Sequence, residues 1–186
     1  MIVLVTGTPG TGKSAVAKAL ATKYGFSYLS VSSFVVERKL YTEYDEETLS
    51  YVIDEDAVKS SLREELSGRN FVVETIYPSL VPFADRVLVL RRNPAELWDV
   101  LSSRGWPERK VAENVEAELL GVVAEEAREA FPNACEIDVT GKTVDQVIRE
   151  FEEGKCEQVD WLERSGVDDV VLKINRVLYS TEKEDS

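Results

Sequence analysis

The residues best suited to chemistry lie close to the N-terminus, in Gly7-Thr8-Pro9-Gly10-Thr11-Gly12-Lys13-Ser14. Their order, G-x-x-x-x-G-K-S, is that of a loop that wraps phosphate. Glycine lets successive backbone N–H groups curl around an anion, because no Cβ blocks the required dihedrals. A helix starting at the end of such a loop adds unpaired donors and roughly half a positive charge. Lys13 can reach the β- and γ-phosphates of a nucleoside triphosphate, and Ser14 can offer a hydroxyl to Mg2+. The bland alternative, a glycine-rich turn beside a chance lysine, leaves the matching flanks on both sides unexplained.

Other patterns narrow the chemistry. Gly141-Lys142-Thr143 repeats the end of the motif, but the earlier glycine would fall at Glu136, whose charge would repel phosphate. Thr143 reads instead as a helix N-cap. The chain has no histidine, which excludes reactions that depend on an imidazole base near neutral pH. Phosphoryl transfer to a phosphate acceptor survives, because that acceptor is already anionic and positioning with charge neutralisation does most of the work. A hydroxyl acceptor, as in a sugar or shikimate kinase, wants a base. No Asn-Lys-x-Asp or Thr-Lys-x-Asp stretch is present to read guanine.

The elements that must position the loop are legible around it. Ile2 to Val5 is a β-branched apolar run, and Val16, Ala19, Leu20 and Tyr24 recur at helical spacing until Gly25. The alternation continues. It predicts strands over Ile2–Thr6, Ser27–Ser30, Phe71–Glu74, Val87–Leu90 and Glu136–Val139. Helices are predicted over Ser14–Tyr24, Glu55–Leu66, Ala95–Arg104, Val111–Ala130 and Thr143–Glu153. Such βαβ succession predicts an α/β fold: a five-stranded parallel sheet with helices on both faces and ligand at the carboxyl ends of the strands. Two stretches interrupt it: Tyr41 to Leu62, acidic with interspersed tyrosines, and Ser102 to Leu119, where basic residues surround a Gly and a Pro. Insertions after strands in such folds often become lids. After Gly154, Val167, Val170, Val171, Ile174, Val177 and Leu178 mark an amphipathic helix, and the closing STEKEDS reads as frayed.

At 186 residues the chain fits one domain with a real core. Its net charge of −13 repels nucleic-acid backbones, so direct sequence-specific nucleic-acid binding is not expected. The same charge attracts basic partners, or simply keeps the protein in solution. Cys135 and Cys156 read as free thiols in a reducing cytosol. The start MIVLV is too short for a signal peptide and lacks a basic lead-in. No apolar run approaches the roughly 20 residues that span a bilayer. A cytoplasmic protein without membrane contact, most simply a monomer, is expected.

Four stretches taken together resemble the adenylate kinase isoenzyme 6 family, in particular its archaeal members: GTPGTGKS, the acidic YDEE…IDED, the lid-like RGWPERKVAENVEAEL, and VDW. They run in order from Met1 to about Trp161, and the lid stretch is the most specific. That family comprises small P-loop nucleotide kinases that also act in maturation of the small ribosomal subunit. The resemblance implies a three-layer P-loop NTPase fold with a core over residues 1–153 and a helical extension over 154–186. Within the core it implies an acceptor-binding segment at about 30–53 and a short lid at about 103–113. It further implies that Gly10, Gly12, Lys13 and Ser14 bind ATP, with Thr11 and Ala15 contributing backbone donors. Arg104 would stack on or pair with ATP. Arg109 and Lys110 would neutralise charge on the transferring phosphoryl group, unless they are only a solvated helix start. Asp54, with Glu55 and Asp56, would position an AMP acceptor or cap the following helix. Glu74 stands where the family has an acid acting through Mg2+ or its water, and Ser14 would be the other Mg2+ ligand.

Three positions depart from the pattern. The family has a histidine two residues after that acid, and here the residue is Ile76, followed by Tyr77, a poor base at its usual pKa near 10. Val36 stands where an arginine is usual, and Arg38 is nearby to bind the acceptor phosphate. Ala15 replaces a common hydroxyl. The resemblance therefore implies an Mg2+-dependent kinase making two ADP from ATP and AMP, with weak ATP hydrolysis, and a basic small-subunit ribosomal protein as partner. The alternative is an assembly factor whose nucleotide state switches its grip on that partner.

Overall fold

The computed structural model describes residues 1–180, so all but the first residue of the closing stretch expected to fray lies outside the described residues. Along the chain run β1 (Ile2–Gly7), α1 (Lys13–Tyr24), β2 (Ser27–Ser30), α2 (Val31–Glu37), β3 (Tyr41–Asp45), β4 (Ser50–Ile53), α3 (Glu55–Leu66) and β5 (Phe71–Thr75). They are followed by β6 (Arg86–Arg91), α4 (Pro94–Ser103), α5 (Glu108–Leu119), α6 (Val122–Ala130), β7 (Cys135–Asp138), α7 (Val144–Glu152) and α8 (Asp168–Leu178). Five strands form one parallel sheet in the order β2-β5-β1-β6-β7. The expected α/β architecture is present, with strand ends within two residues of those expected.

Alternation along β1 divides the interior. Ile2 and Leu4 face a core shared with α2, α3 and α6, through Phe34, Val58, Leu62, Ala124 and Ala127. Val3 and Val5 face α1 and α7, through Val16, Leu20, Val147, Ile148 and Phe151. A third cluster joins α4 and α5 to the C-terminal residues, with Leu97, Leu101, Val115, Trp161, Val170 and Ile174 packed together. The predicted turn at Thr143 holds: its side chain and that of Gln146 form a reciprocal capping box at the start of α7.

Three expectations need correction. Val111–Ala130 is not one helix: α5 begins at Glu108, directly behind Pro107, and ends at Leu119, and Gly121 (φ 68°) turns the chain into α6. A left-handed residue breaks the hydrogen-bond ladder even though the apolar periodicity continues across it. The acidic stretch from Tyr41 is an antiparallel hairpin, β3 with β4, its turn held by Asp45 accepting from the backbone N–H of Glu47 and Thr48. Tyr41 and Tyr44 both pack on Tyr51, at ring-centroid distances of 4.6 and 5.1 Å. Finally, Cys135 and Cys156 are not free thiols but one disulfide. The chain returns past β7 after α7, where Glu157 N–H donates to the Glu136 carbonyl, and this leaves the two Cα atoms 5.0 Å apart. The two cysteines therefore give no sign of a reducing compartment.

Candidate active site

The glycine loop follows the carboxyl end of β1, the central strand of the parallel sheet, and leads into α1, so it lies at the carboxyl edge of the sheet. Gly10 adopts φ 88°, and a Cβ there would lie 2.7 Å from Leu97 and 3.0 Å from Leu101 of α4. Only glycine fits both the dihedral and the space. Helix α1 has neither a capping side chain nor an acid in its first turn. Its first amides thus stay available to an anion.

Lys13 Nζ donates to the Thr8 carbonyl at 3.1 Å across the loop. Burial pushes its pKa down to about 8; Glu74 and Glu118 oppose the shift and Arg104 adds to it. A buried ammonium with no full counter-charge is poised for an anion. Ser14 Oγ donates to Glu74 Oε2 at 2.8 Å, and the Tyr28 hydroxyl donates to Glu74 Oε1 at 3.2 Å. Glu74 is buried near the end of β5, in register with Val5 of β1.

These groups open onto a cavity of about 880 Å³. One end is lined by Gly10, Gly12, Lys13, Ser14 and Ala15, the other by α2 and the hairpin through Val35, Val36, Glu37, Tyr51 and Ile53. Glu74, Ile76, Tyr77, Arg104 and Trp106 also line the cavity. Small-molecule sites run to roughly 300–1,000 Å³, so this one is at the roomy end.

The expected residues divide into two groups. Gly10, Gly12, Lys13, Ser14, Ala15, Glu74 and Arg104 line one cavity, and Thr11 is buried within the loop, its hydroxyl donating to the Thr8 carbonyl. Arg109, Arg38 and Asp54 do not line it. Arg109 is exposed and paired with Glu113 one turn along α5. Arg38 pairs with Glu65 of α3 and lies over the Phe34 ring. Asp54 caps α3, accepting from Ala57 N–H, so its capping alternative is realised. Lys110 lies over the Trp106 ring at 4.1 Å.

Two contributors escaped the sequence reading. Trp106 presents its ring to the cavity between Arg104 and Lys110. Its signal was an aromatic residue inside the basic lid stretch. Arg92, the residue after β6, donates to the Gly10 carbonyl at 2.8 Å and so braces the loop. Two arginines at the carboxyl end of a buried strand were the available hint.

A parallel sheet, a phosphate loop between its central strand and first helix, and an acid on the neighbouring strand define the P-loop kinase fold. Solved structures share that fold: a thymidylate kinase from Candida albicans (TM-score 0.53, 18% identity, covering 82% of this chain and 89% of that one) and a shikimate kinase from Acinetobacter baumannii (0.54, 16%, 84% and 95%). A profile of the AAA domain family matches residues 3–121. Among curated proteins, one from Saccharolobus islandicus described as "Putative adenylate kinase" is 47% identical over 99% of this chain and all of its own length. Equivalents carrying the same description come from Sulfurisphaera tokodaii (46%, 98% of this chain and 97% of that one) and Pyrococcus furiosus (39%, 81% and 82%). The chain belongs to this P-loop family, and within it to the group whose curated members bear that description. Among the described residues no helix is long and apolar enough to cross a membrane.

Proposed function

We propose that the protein is a nucleoside monophosphate kinase that transfers the γ-phosphoryl group of ATP to AMP, giving two ADP. The observation that carries this reading is the single cavity reaching from the phosphate loop, past Glu74, to α2 and the tyrosine hairpin. It offers one end to a triphosphate and the other to an acceptor. The acceptor oxygen attacks phosphorus as the bridging oxygen leaves, and both are phosphate oxygens, so no imidazole is needed. The loop amides and Lys13 hold the β- and γ-phosphates. Arg104 balances charge on the γ-phosphoryl group. The adjacent Ser14 hydroxyl and Glu74 carboxylate form the all-oxygen donor set that suits Mg2+, Glu74 acting through water. Held there, the ion would supply positive charge to neutralise the charge that develops during transfer.

Residues 30–53 serve as the acceptor segment in this reading, and 103–113 as the lid. Arg38 and Arg109 would each leave a glutamate to reach a phosphate. Exposed pairs of this kind contribute at most about 1 kcal/mol, so release is cheap. The test is ADP formation from ATP with AMP, CMP, UMP, GMP or no acceptor. Two ADP per AMP consumed supports the reading, and ADP output independent of any acceptor overturns it.

The net charge of −13 favours a second role: a nucleotide-dependent grip on a basic protein, such as a small-subunit ribosomal protein. A basic partner that changes ATP turnover without AMP would support it, and unchanged turnover would count against it.

A further inference from the structure

Behind the phosphate loop lies a buried set of charges that the kinase reading leaves unused. Glu118, near the end of α5, is 2% exposed. Its Oε2 accepts from the Thr8 hydroxyl at 2.8 Å. Its Oε1 accepts from Arg91 Nε at 2.9 Å, from the indole N–H of Trp161 at 3.0 Å and from the backbone N–H of Arg92 at 3.1 Å. Arg91 also donates to Glu136 at 2.6 Å and to the Val159 carbonyl at 2.9 Å. Arg128 closes the set on the far oxygen of Glu136, at 2.7 Å.

Two properties make this more than a satisfied core. First, Thr8 is a loop residue, and its carbonyl accepts from Lys13 Nζ and from the Thr11 hydroxyl. The residue Glu118 holds by its side chain is the one that fixes the loop's ammonium. Second, Trp161 and Val159 belong to the strap after α7, which is pinned by the disulfide at Cys156 and by Arg164 to Asp138 and Glu157. Replacing the whole set by apolar side chains would serve stability as well or better, since buried ion pairs are costly to desolvate. What the charges provide is a fixed direction for each hydrogen bond.

We infer that Glu118 is a positioning residue for the phosphate loop, and that the C-terminal strap holds it in place through the indole N–H of Trp161. The carboxylate then orients Thr8, and Thr8 orients Lys13. The strap acts on triphosphate binding without touching the cavity, and the acceptor end, built by α2 and the hairpin, lies outside the chain of contacts. The inference rests on the kinase reading.

The experiment compares the full chain with Trp161→Phe, which keeps a large ring but loses the donor, and with Thr8→Val, which keeps the shape but loses the hydroxyl. ATP affinity is measured by calorimetric titration, and KM for ATP and for AMP by steady-state ADP formation. Each variant should weaken ATP by about threefold to tenfold, with KM for AMP moving less than twofold. Thr8→Ser should recover most of the loss. Because both contacts act through one carboxylate, Thr8→Val with Trp161→Phe should weaken ATP less than the product of the single effects. Equal ATP affinity in wild type and variants, equal change in both KM values, or full additivity would overturn the inference alone. A wild type that binds no ATP would overturn the kinase reading and this inference with it.

Discussion

Ser14 and Glu74 are joined by a hydrogen bond of 2.8 Å that ties the first turn of α1 to the end of β5. Sixty residues separate them in sequence, and the pairing of β1 with β5 brings them together. The carboxylate has two jobs in the proposed reaction: it orients the serine that would hold Mg2+, and it supports the charge of Lys13.

Glu74→Gln separates those jobs. The amide oxygen can still accept from Ser14, but the charge is gone. Loss of a charged partner around a metal typically costs about 10- to 100-fold, and kcat with Mg2+ should fall by that order. Since Glu74 raises the pKa of Lys13, the variant's ATP affinity should also begin to fall at a lower pH than in the wild type. Steady-state rates across Mg2+ concentrations check the first effect and binding titrations at several pH values the second. Unchanged kcat would remove Glu74 from the reaction.

The pH dependence of the wild type follows from Lys13. Its ordinary pKa of 10.5 is lowered to about 8 in the free protein, chiefly by burial. Below that pH the ammonium is present and ATP affinity should be flat. Above it the proton is lost, and binding must first restore it. Affinity should therefore fall by up to about tenfold per pH unit until the complex's own, higher pKa is reached. The unligated fold responds with the opposite sign. Between about 8 and 10.5 the unfolded chain binds the extra proton, so this group makes the free protein more stable as pH rises. Calorimetric titration of ATP from about pH 7 to 10 reads the first trend. In Lys13→Arg, whose guanidinium does not titrate there, the slope should vanish.

Ile76 lines the cavity together with Glu74 and Tyr77. An isoleucine cannot orient a water molecule, whereas an acceptor phosphate needs no such help. ADP formation without AMP should be well below the AMP-dependent rate. Ile76→His places a group able to hold water in the same cavity and should raise acceptor-independent hydrolysis by about tenfold or more. A coupled assay of ADP release without acceptor measures both. A wild type that hydrolyses ATP as fast as it phosphorylates AMP would contradict the account.

What could be read from the sequence was what is local. Lys13 and Ser14 announce themselves because loop, strand and helix lie within one short segment. Glu74 was within reach because a strand end is a local feature and the parallel order carries it beside the loop. Arg38 and Arg109 lie in the expected segments, but their surface glutamates, Glu65 and Glu113, decide where the guanidinium groups rest. The roles of Glu118 and Trp161 depend on three segments meeting behind the sheet, and no spacing encodes that. The hairpin shows little of the alternation that marks a buried face, because Tyr44, Tyr51 and Val52 are exposed and only Tyr41 and Ile53 pack on the core.

The disulfide is the largest departure from expectation, and it makes a claim about stability. Cys135 lies in β7, the edge strand, and Cys156 heads the strap, 21 residues later. Closing a loop of that size restricts the unfolded chain and stabilises the fold by about 3 kcal/mol. Cys156→Ser should accordingly lower Tm by about 6–12 °C in a chain of this length. The serine is nearly isosteric, so little packing is lost. A reducing agent should bring the wild type to the same Tm and leave the variant unmoved. If reduction shifted neither protein, the two sulfurs would not be bonded in solution and the strap would be held by its hydrogen bonds alone. If both shifted equally, the reductant would be acting elsewhere, since Cys135 and Cys156 are the chain's only cysteines.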